Sequence, residues 1–223
     1  MENIKEHFEI IAKDYDYWKN KNKYYYIQLK HILKERIPPA KKVLEIGCGT
    51  GDLLIALEPS YGLGVDISEN MILLAKKKHH FKNIEFKVSS AEHLKSKEKF
   101  DVIFLADVIE HLENVDQMSE ALNSIATKDT LILITMINPL WELLLLLMEK
   151  FNLKMPEGPH KRLTFQELKE IFNKHNLNMI CLDYRTLFPK NIPYLSGFVN
   201  NHFYKIPLLR NLGLIQILTL KKL

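Results

Sequence analysis

A chain of 223 residues is long enough for one domain whose core needs neither disulfide bonds nor a metal ion. Its composition, 47% hydrophobic and 26% charged, is ordinary for a globular protein, and a formal net charge of +4 is too small by itself to indicate a nucleic-acid partner. The two cysteines, Cys48 and Cys181, have no metal-ligand spacing, which argues against a zinc site.

The first residues are charged and lack the apolar core of a signal peptide, and the longest apolar run is only Leu143 to Met148. A membrane-spanning helix needs about 20 apolar residues, so we expect a cytoplasmic protein that does not span a membrane. Apolar residues at three- and four-residue spacing predict a helix over Glu2 to Asp16. A second helix is predicted from Tyr24 to Ile37, where two prolines stop it.

From residue 42 onward, short apolar segments alternate with helical patterns, which is typical of right-handed βαβ units and a parallel sheet. Ser68 is the expected cap of one of these helices, and Thr164 with Glu167 forms a capping-box pattern on another. The sequence predicts five strands in the first part of the chain and two closing strands: Lys42–Ile46, Tyr61–Val65, Ile84–Val88, Phe100–Leu105, Thr130–Met136, Asn178–Phe188 and Leu212–Leu220.

A glycine-rich turn follows the first predicted strand. Gly47, Gly49 and Gly51 lie where that strand turns into a helix, and glycines there allow a ligand to approach the backbone closely. Asp66 ends the next strand, 19 positions after Gly47. A carboxylate at about that spacing reaches a ribose diol, so the pattern indicates a nucleoside site at the carboxyl ends of the strands.

The segment Glu45-Ile46-Gly47-Cys48-Gly49-Thr50-Gly51 resembles the first motif of class I S-adenosylmethionine methyltransferases. Gly64-Val65-Asp66-Ile67-Ser68 and Ala91-Glu92-His93-Leu94 resemble motifs at the ends of their second and third strands. The segments from Phe100 and from Asp107 resemble the fourth-strand region of the small-molecule subgroup, which includes quinone-biosynthesis O-methyltransferases. The resemblance covers about residues 41–136, and it is specific for the cofactor rather than for the acceptor.

This resemblance implies S-adenosyl-L-methionine as cofactor, S-adenosyl-L-homocysteine as product, and a role for each matching residue. Gly47, Gly49 and Gly51 would pack under the methionine part, whose ammonium group Glu45 would orient. Asp66 would hold the ribose hydroxyls and Ile67 would stack on the adenine. The implied remaining contacts are the Ala91 amide at the adenine edge and Ala106 at the methyl-donor end.

One position departs from the family pattern. The family often has an aspartate before the alanine of the third motif, whereas this chain has Ser90, so either Ser90 or Glu92 is left to contact the adenine amino group. A nicotinamide enzyme is disfavoured, because its usual third glycine would stand at position 52, which is Asp52 here.

The N-terminal segment Ala12-Lys13-Asp14-Tyr15-Asp16-Tyr17-Trp18 resembles the lid of the same subgroup. Tyr15 would then close over the cofactor near its sulfonium, since an aromatic face attracts a cation. The alternative is that Tyr15 and Trp18 only anchor the helix in the core.

Asp107, Glu110 and His111 form the most polar cluster, and they would share one face if their segment were an α-helix. Three interpretations remain open: His111 acts as a general base, all three bind a divalent metal as in the resembling O-methyltransferases, or they cap a helix and shape the pocket. We assign no metal ligand. His160, within a proline-rich segment, is a second candidate base, and its alternative is a rigid turn with solvated charges.

The apolar run at 143–148 and the aromatic insertion with Tyr194, Phe198, Phe203 and Tyr204 suggest a hydrophobic or lipid-linked acceptor, with peripheral membrane contact. Packing between these segments or a dimer contact is the alternative, so a monomer and a homodimer both remain open. We expect O-methylation and no nucleic-acid partner. An RNA methyltransferase and a degenerate scaffold that binds cofactor without catalysis are the competing functions.

The expected fold class is α/β. The resemblance implies a Rossmann-like, seven-stranded, mostly parallel sheet with helices on both faces and an antiparallel terminal pair. We expect one domain over residues 1–223, in which residues 1–37 form a helical lid and residues 38–137 the cofactor-binding core. Residues 138–223 would supply substrate-side helices, the insertion and the terminal strands.

Overall fold

The computed structural model describes residues 4–223, without the side chains of residues 201, 204 and 207. Its centre is one seven-stranded sheet in the order β3-β2-β1-β4-β5-β7-β6. The strands are β1 Lys42–Ile46, β2 Tyr61–Asp66, β3 Ile84–Val88, β4 Val102–Ala106, β5 Leu131–Ile137, β6 Leu177–Arg185 and β7 Ile215–Lys222. This architecture confirms the α/β fold class and the seven-stranded, Rossmann-like sheet.

The five strands that pair in parallel are joined by helices, as the alternating pattern predicts, except that a loop without a helix joins β3 to β4. β4 and β5 are apolar on both faces because helices cover both sides of the sheet. One apolar cluster lies on each face, around Leu105 and Met118 on one and around Phe104 and Leu54 on the other. Since β1 pairs in parallel with both β2 and β4, the carboxyl ends of these three strands lie side by side.

β7 is inserted between β5 and β6 and runs antiparallel to both. The predicted terminal pair is therefore confirmed, although β6 ends at Arg185 and β7 begins at Ile215, so both are shorter at their facing ends than expected. The insertion between them contains two short helices and a 3₁₀ turn. The side chain of Tyr204, one of its predicted aromatic residues, lies outside the described residues.

Ten helices are assigned in the described part of the chain: α1 Ile4–Ile11, α2 Tyr15–Lys21, α3 Lys23–Arg36, α4 Asp52–Ala56, α5 Glu69–Lys78, α6 Val115–Ile125, α7 Glu142–Lys150, α8 Phe165–Lys174, α9 Leu195–His202 and α10 Pro207–Arg210. The predicted caps are present. Ser68 accepts from the Met71 N–H, and Thr164 and Glu167 make a reciprocal capping box.

The continuous helix predicted over Glu2 to Asp16 is wrong in its described part. α1 ends at Ile11, and a 3₁₀ turn over Ala12–Asp14 redirects the chain into α2. Glu2 lies outside the described residues. The break lets α1 lie along α5 while Tyr15 turns toward the glycine-rich segment, which a straight helix would not achieve.

Among the described helices, none has both the length and the apolar composition needed to cross a bilayer.

Candidate functional site

The candidate site is a cavity at the carboxyl ends of β1, β2 and β4, which is where doubly wound sheets bind ligands. The lid supplies Ile4, Phe8 and Tyr15 to its wall, and the sheet and its loops supply the rest: Ile46, Gly47, Gly49, Asp66, Ile67, Met71, Ser89, Ala91, Glu92, Ala106, Asp107, Val108, His111 and Leu112. Most of the residues that the sequence singled out therefore lie around one space.

The glycine turn has the backbone conformation that requires glycine. Gly47 and Gly49 have φ angles of +73° and +49°. A Cβ atom on Gly47 would collide with the Val108 side chain, and one on Gly49 would lie 3.0 Å from Tyr15 Cε1. The turn is therefore a backbone cradle with no room for side chains, which suits a bulky ligand held against the main chain.

Asp66 faces this cradle with both carboxylate oxygens already oriented. Its Oδ2 accepts from the Gly49 N–H at 2.8 Å, and its Oδ1 accepts from the Ser68 N–H at 2.9 Å. Burial raises the pKa of Asp66, and the bonds from Ser68 and Gly49 oppose that rise. Each oxygen keeps a further lone pair for a ligand, which fits a pair of adjacent ribose hydroxyls.

Glu45 lies beneath the turn, outside the cavity wall. Its side chain is buried, and Oε2 accepts from the Leu54 N–H at 3.0 Å. Burial raises the pKa of Glu45 well above its usual range. The contact joins β1 to the first turn of α4 and so holds the glycine segment in place. Gly51 is likewise outside the wall, packed against Phe86.

The loop after β3 carries Ser90 and Glu92, the two candidates for the adenine contact. Glu92 lines the cavity, and its Oε1 also accepts from the Glu113 N–H at 3.2 Å. The Ser90 hydroxyl instead accepts from the His93 N–H at 3.3 Å. Ala91 is buried in the same wall.

Polar contacts from α1 and α2 hold the lid against α5, the glycine-rich turn and α4. The Glu9 carboxylate accepts from the Glu69 and Asn70 N–H groups at 2.7 and 3.0 Å, at the amino end of α5. In α2, Asp16 accepts from the buried Thr50 hydroxyl at 2.8 Å, and Lys19 pairs with Asp52. These contacts place Tyr15 over Gly49, with the Lys19 ammonium 5.3 Å from its ring centroid.

Asp107 lies at the end of β4 in a left-handed conformation, with φ +56°. Its Oδ2 accepts from the Tyr25 hydroxyl, and its Oδ1 accepts from Thr135 Oγ1 at 3.0 Å. Burial, and then the nearby Glu110, raise the pKa of Asp107 to about 6. The Tyr25 and Thr135 bonds oppose this rise. Asp107 therefore titrates close to neutrality at the wall of the cavity.

Because this pKa is above the value of 3.8 for an unburied aspartate, the stabilising contribution of Asp107 is complete below about pH 4 and is lost as pH rises through about 6. We expect the Asp107→Asn substitution to remove that loss. The free energy of unfolding of the variant, minus that of the wild type, should rise by about 2 kcal/mol between about pH 4 and about pH 7. Urea titrations at a series of pH values measure it, with the exposed Asp129→Asn variant as the control. A difference that does not change with pH would contradict this account of Asp107.

His111 lines the cavity next to Asp107, on a 3₁₀ turn over Ile109–His111. Its Nδ1 lies 3.2 Å from the Pro159 carbonyl oxygen. Since a carbonyl only accepts, Nδ1 carries the proton and Nε2 is left as the basic nitrogen. Burial lowers the pKa of His111, and the Pro159 bond opposes this effect. Because the net shift is downward, the ring is neutral at neutral pH.

The condition for a common helical face of Asp107, Glu110 and His111 is not met, because Asp107 is left-handed and residues 109–111 form a 3₁₀ turn in place of an α-helix. Glu110 is buried and turned toward Arg162, with its Oε1 3.5 Å from Nη1. Within residues 4–223, no group of three or more His, Cys, Asp or Glu side chains is arranged to hold a metal ion.

His160 does not line the cavity; it is held in a polar cluster beside it. Its Nε2 lies 3.5 Å from Glu142, and its Nδ1 lies 3.1 Å from the Gly158 carbonyl oxygen. Its ring centroid is 6.4 Å from that of His111. Arg162 in the same cluster pairs with Glu110, Glu142 and Glu157. The predicted proline-rich turn is thus joined to the site through charged contacts.

The sequence did not indicate three residues of the site. Tyr25 orients Asp107, Phe8 covers the cavity, and Glu9 fastens the lid to α5. Tyr25 stands in a run of three tyrosines on α3, and that run is the signal that was available. Nothing local identifies its partner, because Asp107 is 82 positions away.

The sequence profile of the methyltransferase-domain family matches residues 17–182. The chain is similar to the ubiquinone biosynthesis O-methyltransferase of Pelagibacter ubique, with 30% identity over 184 residues, which is 72% of this chain and 75% of that protein. The ubiquinone biosynthesis O-methyltransferase of Bartonella bacilliformis is 31% identical over 153 residues, covering 62% of this chain and 60% of that protein.

Solved structures share the fold at low sequence identity. An S-adenosylmethionine-dependent methyltransferase from Thermotoga maritima superposes with a TM-score of 0.74 and 18% identity, covering 99% of this chain and 100% of that one. The magnesium protoporphyrin IX methyltransferase of Synechocystis, solved with S-adenosylhomocysteine bound, gives a TM-score of 0.57 and 17% identity, covering 92% of this chain and 83% of that one.

Proposed function

The chain belongs to the class I S-adenosylmethionine-dependent methyltransferases, and we propose that it methylates a hydroxyl oxygen of a small acceptor with an apolar body. The observation that carries the proposal is that the oriented carboxylate of Asp66 and the basic nitrogen of His111 belong to side chains lining the same cavity. The first suits a nucleoside and the second suits a proton donor, as a transfer from cofactor to hydroxyl requires.

For the cofactor, we assign Asp66 to the ribose hydroxyls and Ile67, Ala91 and Glu92 to the adenine. Gly47 and Gly49 lie under the methionine part, with Gly51 and Glu45 holding the turn from behind. Tyr15 and Ala106 border the methyl-donor end. S-adenosylmethionine supplies a methyl group already activated on a positively charged sulfur, so the protein contributes mainly alignment and exclusion of water.

His111 is assigned as the general base. An acceptor hydroxyl within reach of Nε2 gives its proton to that nitrogen as the oxygen forms its bond to the methyl carbon, and the carbon–sulfur electron pair stays on sulfur. Asp107, held by Tyr25 and Thr135, is placed to hydrogen-bond the same hydroxyl or a neighbouring one. We assign His160 to positioning the acceptor-side turn, because its partners are Glu142, Glu157 and the Gly158 carbonyl.

The apolar body of the acceptor is supported by the wall around His111, where Ile4, Phe8 and Leu112 leave little that could solvate a charged molecule. The names of two relatives, both ubiquinone biosynthesis O-methyltransferases, support oxygen as the atom that is methylated. A phenol, with a pKa of about 10, is a stronger acid than an alkyl hydroxyl, so its proton passes more easily to a neutral imidazole as the oxygen bonds to the methyl carbon.

The test is transfer of a radiolabelled methyl group from S-adenosylmethionine to a panel of acceptors. The panel contains a catechol with a short prenyl tail, the same ring without the tail, and total transfer RNA. We expect label in the ether product of the tailed phenol and little in the other two. Cofactor binding without transfer to any phenol would support the scaffold alternative. Label in RNA would show that the acceptor is a nucleic acid and not a small molecule.

A further inference from the structure

The outer side of α7 is an apolar stripe facing solvent. Leu145 of this helix is buried, and Trp141 and Met148 pack against the same core cluster. The opposite side is exposed, and its residues recur at three- and four-residue spacing: Leu140, Leu143, Leu144, Leu147 and Phe151. Leu143 is 74% exposed. A stripe of this kind costs free energy in water unless something covers it.

The acidic residues of α7 are turned away from that stripe. Glu142 lies 3.5 Å from both His160 and Arg162, and Glu149 lies 3.8 Å from Lys154. These pairs join α7 to the turn beside the cavity. The outer stripe itself carries no carboxylate, so it presents hydrocarbon without negative charge.

The insertion between β6 and β7 adjoins α7. Trp141 Nε1 donates to the Leu212 carbonyl at 2.8 Å, and Asn138 Nδ2 donates to the Gly213 carbonyl at 2.8 Å. Large apolar side chains of the insertion are also exposed, with Tyr194 at 97% and Leu208 at 83%. With the α7 stripe they form what we call the apolar face, completed by Ile192, Leu195, Phe198, Ile206 and Leu212.

The charge on the insertion has one sign. After Asp183 the sequence contains no aspartate or glutamate, and the insertion carries Lys190, Lys205 and Arg210, all exposed. The rest of the protein is net negative, because six lysines and arginines follow Asp183 while the whole chain carries only +4. On the insertion, aromatic and aliphatic side chains are therefore flanked by cations alone, which is the composition of surfaces that enter the headgroup region of anionic membranes.

We propose that the apolar face docks the protein onto a membrane that contains anionic lipids. The one-signed charge favours lipid over a second copy of this chain, since two such faces would bring their cations together. It also favours lipid over nucleic acid, which would leave the leucine stripe in water.

Docking would leave only the width of α7, about 10 Å, between the membrane and the turn beside the cavity, because Glu142 on the inner side of α7 contacts His160 and Arg162, and Arg162 contacts Glu110 next to His111. An acceptor with a hydrocarbon tail would reach the site from the bilayer. This consequence rests on the proposed function, whereas the docking itself rests on the surface alone.

The experiment is co-sedimentation with vesicles of phosphatidylcholine, with and without phosphatidylglycerol. We expect the wild type to bind the mixed vesicles, with binding weakened roughly tenfold or more by omitting the anionic lipid or by raising salt. The Leu143→Gln/Leu147→Gln variant should lose roughly tenfold or more. The matched control is Leu73→Gln/Phe81→Gln, whose side chains are 64% and 54% exposed on another part of the surface, and it should bind like the wild type.

Failure of wild-type binding, or an equal loss in the control, would overturn the proposal. A dimer in sedimentation velocity that the Leu143→Gln/Leu147→Gln variant abolishes, without vesicle binding, would assign the face to self-association instead. Calorimetric titration with S-adenosylhomocysteine and phenol methylation without vesicles are measured on the same samples. If those persist while docking fails, the proposed function stands and only the membrane inference falls.

Discussion

Replacing Asp66 by alanine is expected to abolish measurable binding of S-adenosylmethionine and S-adenosylhomocysteine. The substitution would remove two charge-assisted hydrogen bonds to the ribose, each contributing about 1.5–3 kcal/mol. The dissociation constant should therefore rise at least about a hundredfold. Loss of the bonds to Gly49 and Ser68 would also release the glycine turn. Isothermal titration calorimetry of the purified variant measures both ligands, with NAD as the negative control ligand.

The matched protein control is Asp101→Ala. Like Asp66, Asp101 accepts a backbone N–H, that of Lys42 at 2.8 Å, but it lies just before β4, is exposed and does not line the cavity. It should bind both ligands like the wild type. Unchanged affinity in Asp66→Ala, with a folded protein by circular dichroism, would remove the basis for the cofactor assignment.

The second large effect is expected at His111. The His111→Gln variant should lose about 10²- to 10⁴-fold in kcat for a hydroxyl acceptor, since general-base catalysis is typically worth that much, while its affinity for S-adenosylhomocysteine stays within about threefold. In the wild type, kcat/KM should rise with pH as His111 loses its proton. Because burial lowers the pKa of His111, that rise should lie below about pH 6.5 and be absent in the variant.

His160→Gln distinguishes a base from a merely nearby imidazole. Its ring lies in the charged cluster with Glu142 and Glu157, so we expect a loss of less than about tenfold and a preserved acidic limb in the pH profile. If His160→Gln removed the limb and His111→Gln did not, the two roles would have to be exchanged.

Features carried by short stretches of sequence were predicted well. The alternation of apolar segments with helical patterns fixed the α/β class, and Ser68 and Thr164 marked helix starts correctly. The glycine turn and Asp66 were placed together because each is tied to the end of a strand, and neighbouring parallel strands end at the same edge of a sheet. Such features depend on contacts within a few residues, or on one strand pairing.

Features that depend on contacts between residues far apart in the sequence were not predicted. Nothing near Glu9 in the sequence indicates that it accepts N–H bonds from residues 69 and 70, and nothing near Tyr25 indicates Asp107. The segment of Asp107, Glu110 and His111 is not an α-helix, for the same reason. Tyr25 and Thr135 hold Asp107 in a left-handed conformation that its neighbours alone would not select.

The sequence by itself determined the family, the order of the strands and the placement of the glycine turn and Asp66 at one edge of the sheet, because motif spacing and periodicity are local properties. Only the tertiary structure decided which imidazole enters the cavity and which is held outside it. The Pro159 carbonyl fixes the His111 tautomer, whereas Glu142 and Glu157 hold His160. Tertiary packing also decided which side of α7 is buried, because a helix that is apolar all round carries no local signal for choosing between its faces.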